Sequence, residues 1–347
     1  MLKVIDIEKA LTRKNVLFID VRSPSEFEDG TILGSINMPI LDDEERAIVG
    51  TIYRKENPHE ATLKGLSLVS TKLPNIYSTI KKYSMEYDEI VIFCWRGGMR
   101  SKSICNLLNM LNIDNVYQLK GGYKSYRKYV IDFLEDKVEQ YKFIMIHGLT
   151  GVGKTHILDQ LELIGEPVLN LEKLAKNSGS VFGDIVFTGK PPTQKMFESL
   201  IFHVLYSSKE KYIFVESESK RIGSVQVPES IYRRMVNGYH ILIKTTFENR
   251  IEVILKDYAN YLGINDSKII ASLNHLRKRL GNKAVNDLID KVEQKDYTYV
   301  IKYLMEHYYD PLYNYSIQKY KNYDLVVDYE KIEEVIPILS DFGKSIS

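Results

Sequence analysis

Thiols, tryptophan and net charge are what this chain has little of. Two cysteines, Cys94 and Cys105, stand among 347 residues. Two cannot build a disulfide framework, nor a thiolate zinc site unaided. Lysine and arginine total 47 against 46 acidic side chains, so the chain does not coat nucleic acid by bulk charge. That balance still leaves room for a local basic groove. No apolar run approaches the roughly 20 residues that span a bilayer. The opening stretch MLKVIDIEKALTRKN has neither a signal-peptide core nor a small-residue cleavage site. A cytoplasmic enzyme with no membrane partner is therefore the expectation. Hydrophobic residues at 44% and charged residues at 27% exclude global disorder and a collagen-like fibre. At about 150 residues per domain, the length points to two domains.

The first half alternates short apolar runs with helical patterns. Val16 to Val21 read VLFIDV, a buried-strand pattern, and a polar turn that can open a short helix follows. Asp42, Asp43, Glu44 and Glu45 suit the first turn of a helix, where the dipole favours acids. Pro74 to Tyr83 reads as another helix. Ile90 to Phe93 and Val116 to Leu119 are further strand candidates, and Gly121 and Gly122 stop the second. Between them, Ile104, Leu107, Leu108 and Leu111 recur at helical spacing. This alternation predicts a parallel sheet covered on both faces. A helix over residues 123–138 closes the domain.

Cys94 sits where a strand hands over to a helix, in the loop Cys94-Trp-Arg96-Gly97-Gly98-Met-Arg100-Ser101. Backbone N–H groups, a helix N-terminus and two guanidinium groups each favour a thiolate there. The same cradle suits an oxyanion or the terminal atom of a persulfide. Cys105 lies within the helical run and reads as a core residue.

Asp20-Val-Arg22-Ser-Pro-Ser-Glu26-Phe27, then Gly30, Gly34-Ser35, Asn37 and Pro39, and finally Cys94 to Ser101 resemble the successive motifs of a rhodanese-type sulfurtransferase domain. The resemblance implies that Cys94 carries the chalcogen. Five residues separate Cys94 from Arg100, where many single-domain rhodaneses have four. Dual-specificity phosphatases share the longer spacing, so spacing alone leaves phosphatase chemistry open.

The second half opens with the apolar run Phe143 to Ile146 and then Gly148-Leu-Thr-Gly151-Val-Gly153-Lys154-Thr155. This satisfies the phosphate-loop pattern in full, in a strand–loop–helix context. Glycines let loop N–H groups wrap phosphate oxygens, Lys154 supplies a point charge, and Thr155 offers a hydroxyl to Mg²⁺. Tyr212 to Val215 reads as a strand that delivers Glu216 to the place where such proteins hold Mg²⁺ or order a water. Glu218 and Arg221 are further candidates. Ile241 to Lys244 and Leu325 to Val327 are strand candidates. Residues 250–261, 266–280, 282–292 and 297–307 read as helices. Arg277, Lys278 and Arg279 form a basic cluster on one of them, a candidate tRNA footprint or a solvated face. Tyr308, Tyr309, Tyr313 and Tyr315 could stack on unpaired bases or pack between helices.

The phosphate loop is followed by Asn170, Glu172, Ala175, Asn177, Gly179-Ser180 and Phe182-Gly183. Then come Gly189-Lys-Pro-Pro-Thr-Gln194-Lys with Phe197-Glu198, Val215-Glu-Ser-Glu218-Ser with Arg221-Ile-Gly223, and Tyr308-Tyr-Asp310-Pro311-Leu-Tyr313. Over nearly the whole chain this resembles the tRNA 2-selenouridine synthase family. Its Cys-Trp-Arg-Gly-Gly-x-Arg-Ser pattern matches Cys94 to Ser101, which removes most of the weight from the phosphatase reading. The implied architecture is α/β: a rhodanese-like parallel-sheet domain over 1–135, then a P-loop NTPase-like α/β domain over 136–347 with a helical C-terminal part.

The implied activity replaces the sulfur of wobble 2-thiouridine in tRNA by selenium from selenophosphate, through S-geranylation with geranyl diphosphate. The implied roles are catalysis at Cys94, Arg96, Gly97, Gly98 and Arg100, and diphosphate binding at Gly148, Gly151, Gly153, Lys154 and Thr155. Selenophosphate and geranyl diphosphate act as co-substrates with no tightly bound cofactor. Mg²⁺ is a candidate ion, and a selenophosphate-supplying enzyme a candidate partner. Two other readings stand beside this one: a phosphate-loop kinase or ATPase fused to a sulfurtransferase, and a redox-sensing tRNA-binding module.

Overall fold

Short apolar runs bounded by polar turns become the central strands of two parallel sheets. The computed structural model describes residues 2–55, 57–177, 189–258, 265–318, 320 and 322–346. Gly179, Ser180, Phe182 and Gly183 lie outside the described residues, as do the expected helix end at Tyr261 and the side chain of Tyr315. The chain divides into two compact units, Met1–Phe133 with Glu198–Leu200, and Leu134–Phe197 with Ile201–Ser347.

The first unit holds β1 (Val4–Ile5), β2 (Val16–Asp20), β3 (Ile36–Asn37), β4 (Glu89–Phe93) and β5 (Val116–Leu119). They form one parallel sheet in the order β1-β5-β4-β2-β3. Ile90, Val91, Ile92 and Phe93 of the central strand are all fully buried, as a parallel sheet covered on both faces requires. Ile104 and Leu108 of the Met99–Met110 helix pack onto Ile90 and Ile92 in one core. Truncating any one of these to alanine should cost roughly 2–5 kcal/mol.

The second unit holds β6 (Lys142–His147), β7 (Val168–Leu169), β8 (Tyr212–Glu216), β11 (Tyr239–Lys244) and β12 (Leu325–Asp328), parallel in the order β12-β11-β6-β8-β7. The hairpin β9 (Arg221–Ile222) and β10 (Val225–Gln226) stands apart from that sheet. A separate helical core joins Ile269, Leu273, Val285, Leu288, Val292 and Leu304, the apolar stripes of the C-terminal helices.

Three expectations need correction. The loop after Cys94 is shorter than its motif, because the helix starts at Met99 and takes Arg100 into its first turn. The continuous helix expected over 266–280 breaks at Leu276 into Asp266–His275 and Arg277–Leu280, and Gly281 ends it at φ 84°. The helix expected over 123–138 runs as Gly122–Asp132, then one π-helical turn and one 3₁₀ turn.

Candidate functional site

Each sheet presents a loop at the carboxyl end of its central strand, where parallel sheets bind ligands. In the first unit that loop carries Cys94, which is 3% exposed. Its carbonyl accepts from the Tyr123 N–H at 2.8 Å, and the Trp95 carbonyl accepts from the Lys124 N–H at 2.9 Å. This docking needs Gly122 (φ 59°), where a Cβ would lie 2.2 Å from the Cys94 carbonyl oxygen. It needs Gly97 (φ 64°) as well, where a Cβ would lie 2.8 Å from the Leu119 carbonyl oxygen. Gly98 has open space around it and caps the Met99–Met110 helix.

The hydrogen bonds around the thiol have a direction. The Gln118 amide donates to the Gly97 carbonyl at 2.8 Å and to Ser101 Oγ at 3.0 Å. Ser101 Oγ lies 3.2 Å from Cys94 Sγ. With Gln118 already donating to Ser101 Oγ, the serine hydroxyl has its own proton to place, with Cys94 Sγ at 3.2 Å and the Gly98 carbonyl at 3.5 Å as its acceptors. Gln118 is the residue that motif reading missed here; Ser101 closes the Cys94–Ser101 motif but had no role assigned to it.

Arg100 pairs with Glu26, Nη1 to Oε2 at 2.6 Å and Nη2 to Oε1 at 3.2 Å. Burial alone would lower the guanidinium pKa, but Glu26, the Cys94 sulfur and Asp20 outweigh it and hold the charge. Burial likewise pushes Glu26 up, yet Arg100 carries it below the ordinary carboxylate range. Arg100 is thus a held cation beside the thiol, and Arg96 is exposed on the loop. Beneath the loop, buried Arg22 donates to Asp20 and to the Gly30 carbonyl, and its guanidinium lies 4.1 Å from the Tyr123 ring centroid. Cys105 is fully buried, and that burial pushes its thiol up to about 12, as expected of a core residue.

In the second unit β6 runs into the phosphate loop, and the Lys154–Leu163 helix follows. Gly151 and Gly153 take φ of 83° and 68°, while a Cβ on Gly148 would strike Val152 at 2.5 Å. Lys154 Nζ donates to the Gly148 carbonyl at 3.0 Å. Thr155 is exposed at the start of the helix. Glu216 ends β8, in register with Ile146 of β6, and is 2% exposed. Its Oε1 accepts from the Glu172 N–H at 2.8 Å, and its Oε2 is buried with no hydrogen-bond partner. Burial, reinforced by Glu172, raises its pKa well above the usual range. Burial also raises Glu218, with Glu172 adding to the effect and Lys154 opposing it. Lys154 is pulled down by burial against the attraction of Glu218, Glu172 and Glu216.

Two cavities meet beside this loop. The smaller, about 120 Å³, is lined by Thr150, Lys154, Thr155, Glu172, Glu216 and Asp257, among others. The larger, about 480 Å³, has Met145, Asn177, Arg221, Tyr232 and Tyr320 in its wall. Glu218 and Tyr313 line both. Arg221 is exposed on the rim of the larger one. Glu172, Asp257 and Arg250 had no assigned role in the sequence reading. Among the described residues, no group of three or more His, Cys, Asp or Glu could hold a metal ion. No helix among them is long and apolar enough to cross a membrane.

The basic cluster is more constrained than its sequence suggests. Arg277 donates to Asn274 Oδ1 and to Asn286 Oδ1, both at 2.8 Å. The Arg279 guanidinium lies 5.6 Å from the Tyr308 ring centroid, and Lys278 is exposed.

Comparison with known proteins agrees with this arrangement of two centres. Residues 4–129 match the rhodanese-like domain model, and residues 141–344 match the model of the tRNA 2-selenouridine synthase AAA domain. The tRNA 2-selenouridine synthase of Hydrogenovibrio crunogenus is 32% identical over 93% of this chain and 97% of that protein. The synthase of a Sulfurovum species is 31% identical over 90% and 91%. A solved N-terminal domain from Clostridium difficile 630 is 52% identical over 37% of this chain and 99% of that one, with a TM-score of 0.36. A thiol loop in the first unit, a phosphate loop in the second and a match that runs through both lead to one assignment: the chain belongs to the tRNA 2-selenouridine synthase family.

Proposed function

We propose that this chain replaces the sulfur of wobble 2-thiouridine in tRNA by selenium from selenophosphate, after S-geranylation with geranyl diphosphate. The observation that carries the reading is the pair of cavities at the phosphate loop. The smaller, about 120 Å³ and lined by the phosphate loop, is the size of a phosphate group and its neighbours, not of a whole nucleotide. The larger one, directly beside it, has the volume of a ligand pocket and a mixed aromatic and polar wall.

The loop N–H groups and Lys154 stabilise charge on the departing diphosphate. Thr155 and Glu216, whose buried Oε2 lacks a protein partner, fit a Mg²⁺ ion. When bound, such an ion would neutralise further phosphate charge. In the first unit, alkylated sulfur is the better leaving group: the selenium of selenophosphate bonds to C2, either directly or after the Cys94 thiolate has displaced the sulfur and is displaced in turn, geranyl thiol departs, and water cleaves the P–Se bond to release phosphate. Arg100 and Arg96 supply positive charge for the selenophosphate anion.

The test is nucleoside mass analysis after incubation with 2-thiouridine-containing tRNA, geranyl diphosphate and selenophosphate. S-geranyl-2-thiouridine and 2-selenouridine are the expected products. Lys154→Ala should lose geranyl transfer, and supplying already geranylated tRNA should partly restore selenation. Triphosphate hydrolysis without either nucleoside product would favour the kinase or ATPase reading instead.

A further inference from the structure

We propose that the larger cavity of the second unit takes the isoprenoid tail of the prenyl diphosphate, and that Tyr320, backed by the His147–His240 pair, is the wall that limits its length. The assignment rests on the proposed function and adds to it where the tail lies and what selects it. A prenyl diphosphate joins its phosphates to C1 of the chain through one C–O bond. With the diphosphate in the phosphate loop, the tail must therefore leave the smaller cavity at once for an adjoining space. Glu218 and Tyr313 line both cavities, so the two adjoin there. The larger, at about 480 Å³, is within the range of small-molecule pockets.

One wall of this cavity is built on a single face of the sheet. Met145 stands three residues before Gly148, back along β6 from the phosphate loop, and shares a face with His147 two positions on. Parallel pairing sets His240 of β11 beside Met145, on that same face. The two imidazoles meet there, with His147 Nε2 and His240 Nδ1 2.9 Å apart. His240 Nε2 lies 3.0 Å from the Val236 carbonyl, which can only accept, so Nε2 carries that ring's proton. His240 Nδ1 is then the acceptor and His147 Nε2 the donor. Burial, with His240 and Lys154 adding to it, pushes His147 down to about 3, so this ring too is neutral near pH 7. Tyr320 lies against both rings, centroids 4.1 Å from His240 and 4.7 Å from His147. Its N–H donates to the Ile317 carbonyl at 3.2 Å, which holds it in place. Met145, Tyr232, Val236 and Tyr320 thus give the cavity an uncharged wall that a hydrocarbon chain can cover. The two charged residues of the lining, Glu218 and Arg221, come from beyond the end of β8 and from the hairpin instead.

The experiment compares dimethylallyl, geranyl and farnesyl diphosphates, whose chains differ by one isoprene unit each, in the full-length parent, Tyr320→Ala and Val236→Trp. Calorimetric titration reads binding, and nucleoside mass analysis with 2-thiouridine tRNA reads transfer. Tyr320→Ala lengthens the space and should raise farnesyl over geranyl by about tenfold, since a single methylene in an apolar pocket is already worth that much. Val236→Trp fills the space and should favour the dimethylallyl donor by about the same factor. KM for tRNA should stay near the parent value in both. A cavity that holds the base instead would raise KM for tRNA and leave the donor ratios unchanged, and that result overturns the assignment. If Tyr320→Ala does not fold, Val236→Trp decides, because Val236 is 37% exposed at the end of its helix and tolerates a larger side chain. A parent that makes no S-prenyl nucleoside from any donor overturns the functional reading, and the binding ratios of the variants then decide the pocket by themselves. Product from the parent with the same donor ratios in all three proteins overturns this assignment alone.

Discussion

Arg250 grips both carboxylate oxygens of Asp310 with its terminal nitrogens, while its Nε donates to the Thr150 carbonyl at 2.8 Å. One guanidinium thereby joins the phosphate loop to the Asp310–Gln318 helix, which also carries Tyr313. Arg250 is 4% exposed, and Asp310 is the carboxylate that compensates its buried charge.

Removing the partner should loosen the loop. Asp310→Ala leaves a buried guanidinium unpaired, a change that costs about 3–5 kcal/mol when both charges are fully buried. Asp310 is partly exposed, so roughly 2 kcal/mol is the expected loss of stability for the second unit. Binding of geranyl diphosphate should weaken as well, because Thr150 lies in the loop that holds it. Thermal melting and calorimetric titration check both effects. Unchanged donor affinity would show that the loop holds its form without the Asp310 clamp on Arg250.

The two cysteines should separate cleanly. Cys94→Ala removes the thiol that Ser101 faces and leaves the docked backbone of the loop in place. Selenium incorporation should disappear while geranylation persists. Cys105 is fully buried and its thiol is pushed up to about 12, so Cys105→Ala should keep both reactions at a stability cost of about 1 kcal/mol. Product analysis by mass decides. Loss of selenation in both variants would point to a thiol pair acting together.

Much of this was legible because local pattern and tertiary role coincide. Residues 90–93, 143–146 and 212–215 are unbroken apolar runs, and each became a central strand. The phosphate loop states its chemistry within eight residues. β1 and β3 escaped because two-residue strands carry no period. The Pro58–Ser70 helix escaped because only Ala61 is fully buried, while Leu68 and Val69 pack on the core from its last turn and Leu63 and Leu66 stay exposed. Arg250 could not be read at all, since it reaches Thr150 across 100 residues of chain. Glu218 was visible as a strand-end acid, but its place between two cavities belongs to the fold alone.

Glu216 gives a pH signature in stability. Its folded pKa lies above the ordinary carboxylate value of 4.5, so the folded state binds its proton more tightly than the unfolded chain. The stability it contributes is complete below that ordinary value and is lost as pH rises toward the folded pKa. Glu216→Gln keeps an acceptor for the Glu172 N–H and cannot ionise. The variant should match the parent in acid and melt higher at neutral pH. A gain on the order of 1 kcal/mol would raise Tm by roughly 2–4 °C for a unit of this size. Melting curves across pH test this, and a constant offset would remove Glu216 as the cause.

The basic cluster at 277–279 tests where tRNA lies. The chain is nearly neutral, with 47 basic and 46 acidic side chains, so a polyanion must find its affinity in local charge. Lys278 is exposed, whereas Arg277 is held by Asn274 and Asn286 and Arg279 lies over Tyr308. Fixed guanidinium groups are good phosphate ligands because little side-chain freedom remains to be lost. Changing all three to Gln should raise the tRNA dissociation constant and flatten its dependence on salt, by about one unit of log–log slope per lost phosphate contact. Geranyl diphosphate binding should stay near the parent value, since none of the three lines the phosphate cavity. A lysine that only solvates the helix, beside arginines that only cap it, would leave both the tRNA affinity and the slope unchanged. Titrations at several salt concentrations separate these outcomes, because the slope counts displaced counterions and does not respond to a loss of helix stability.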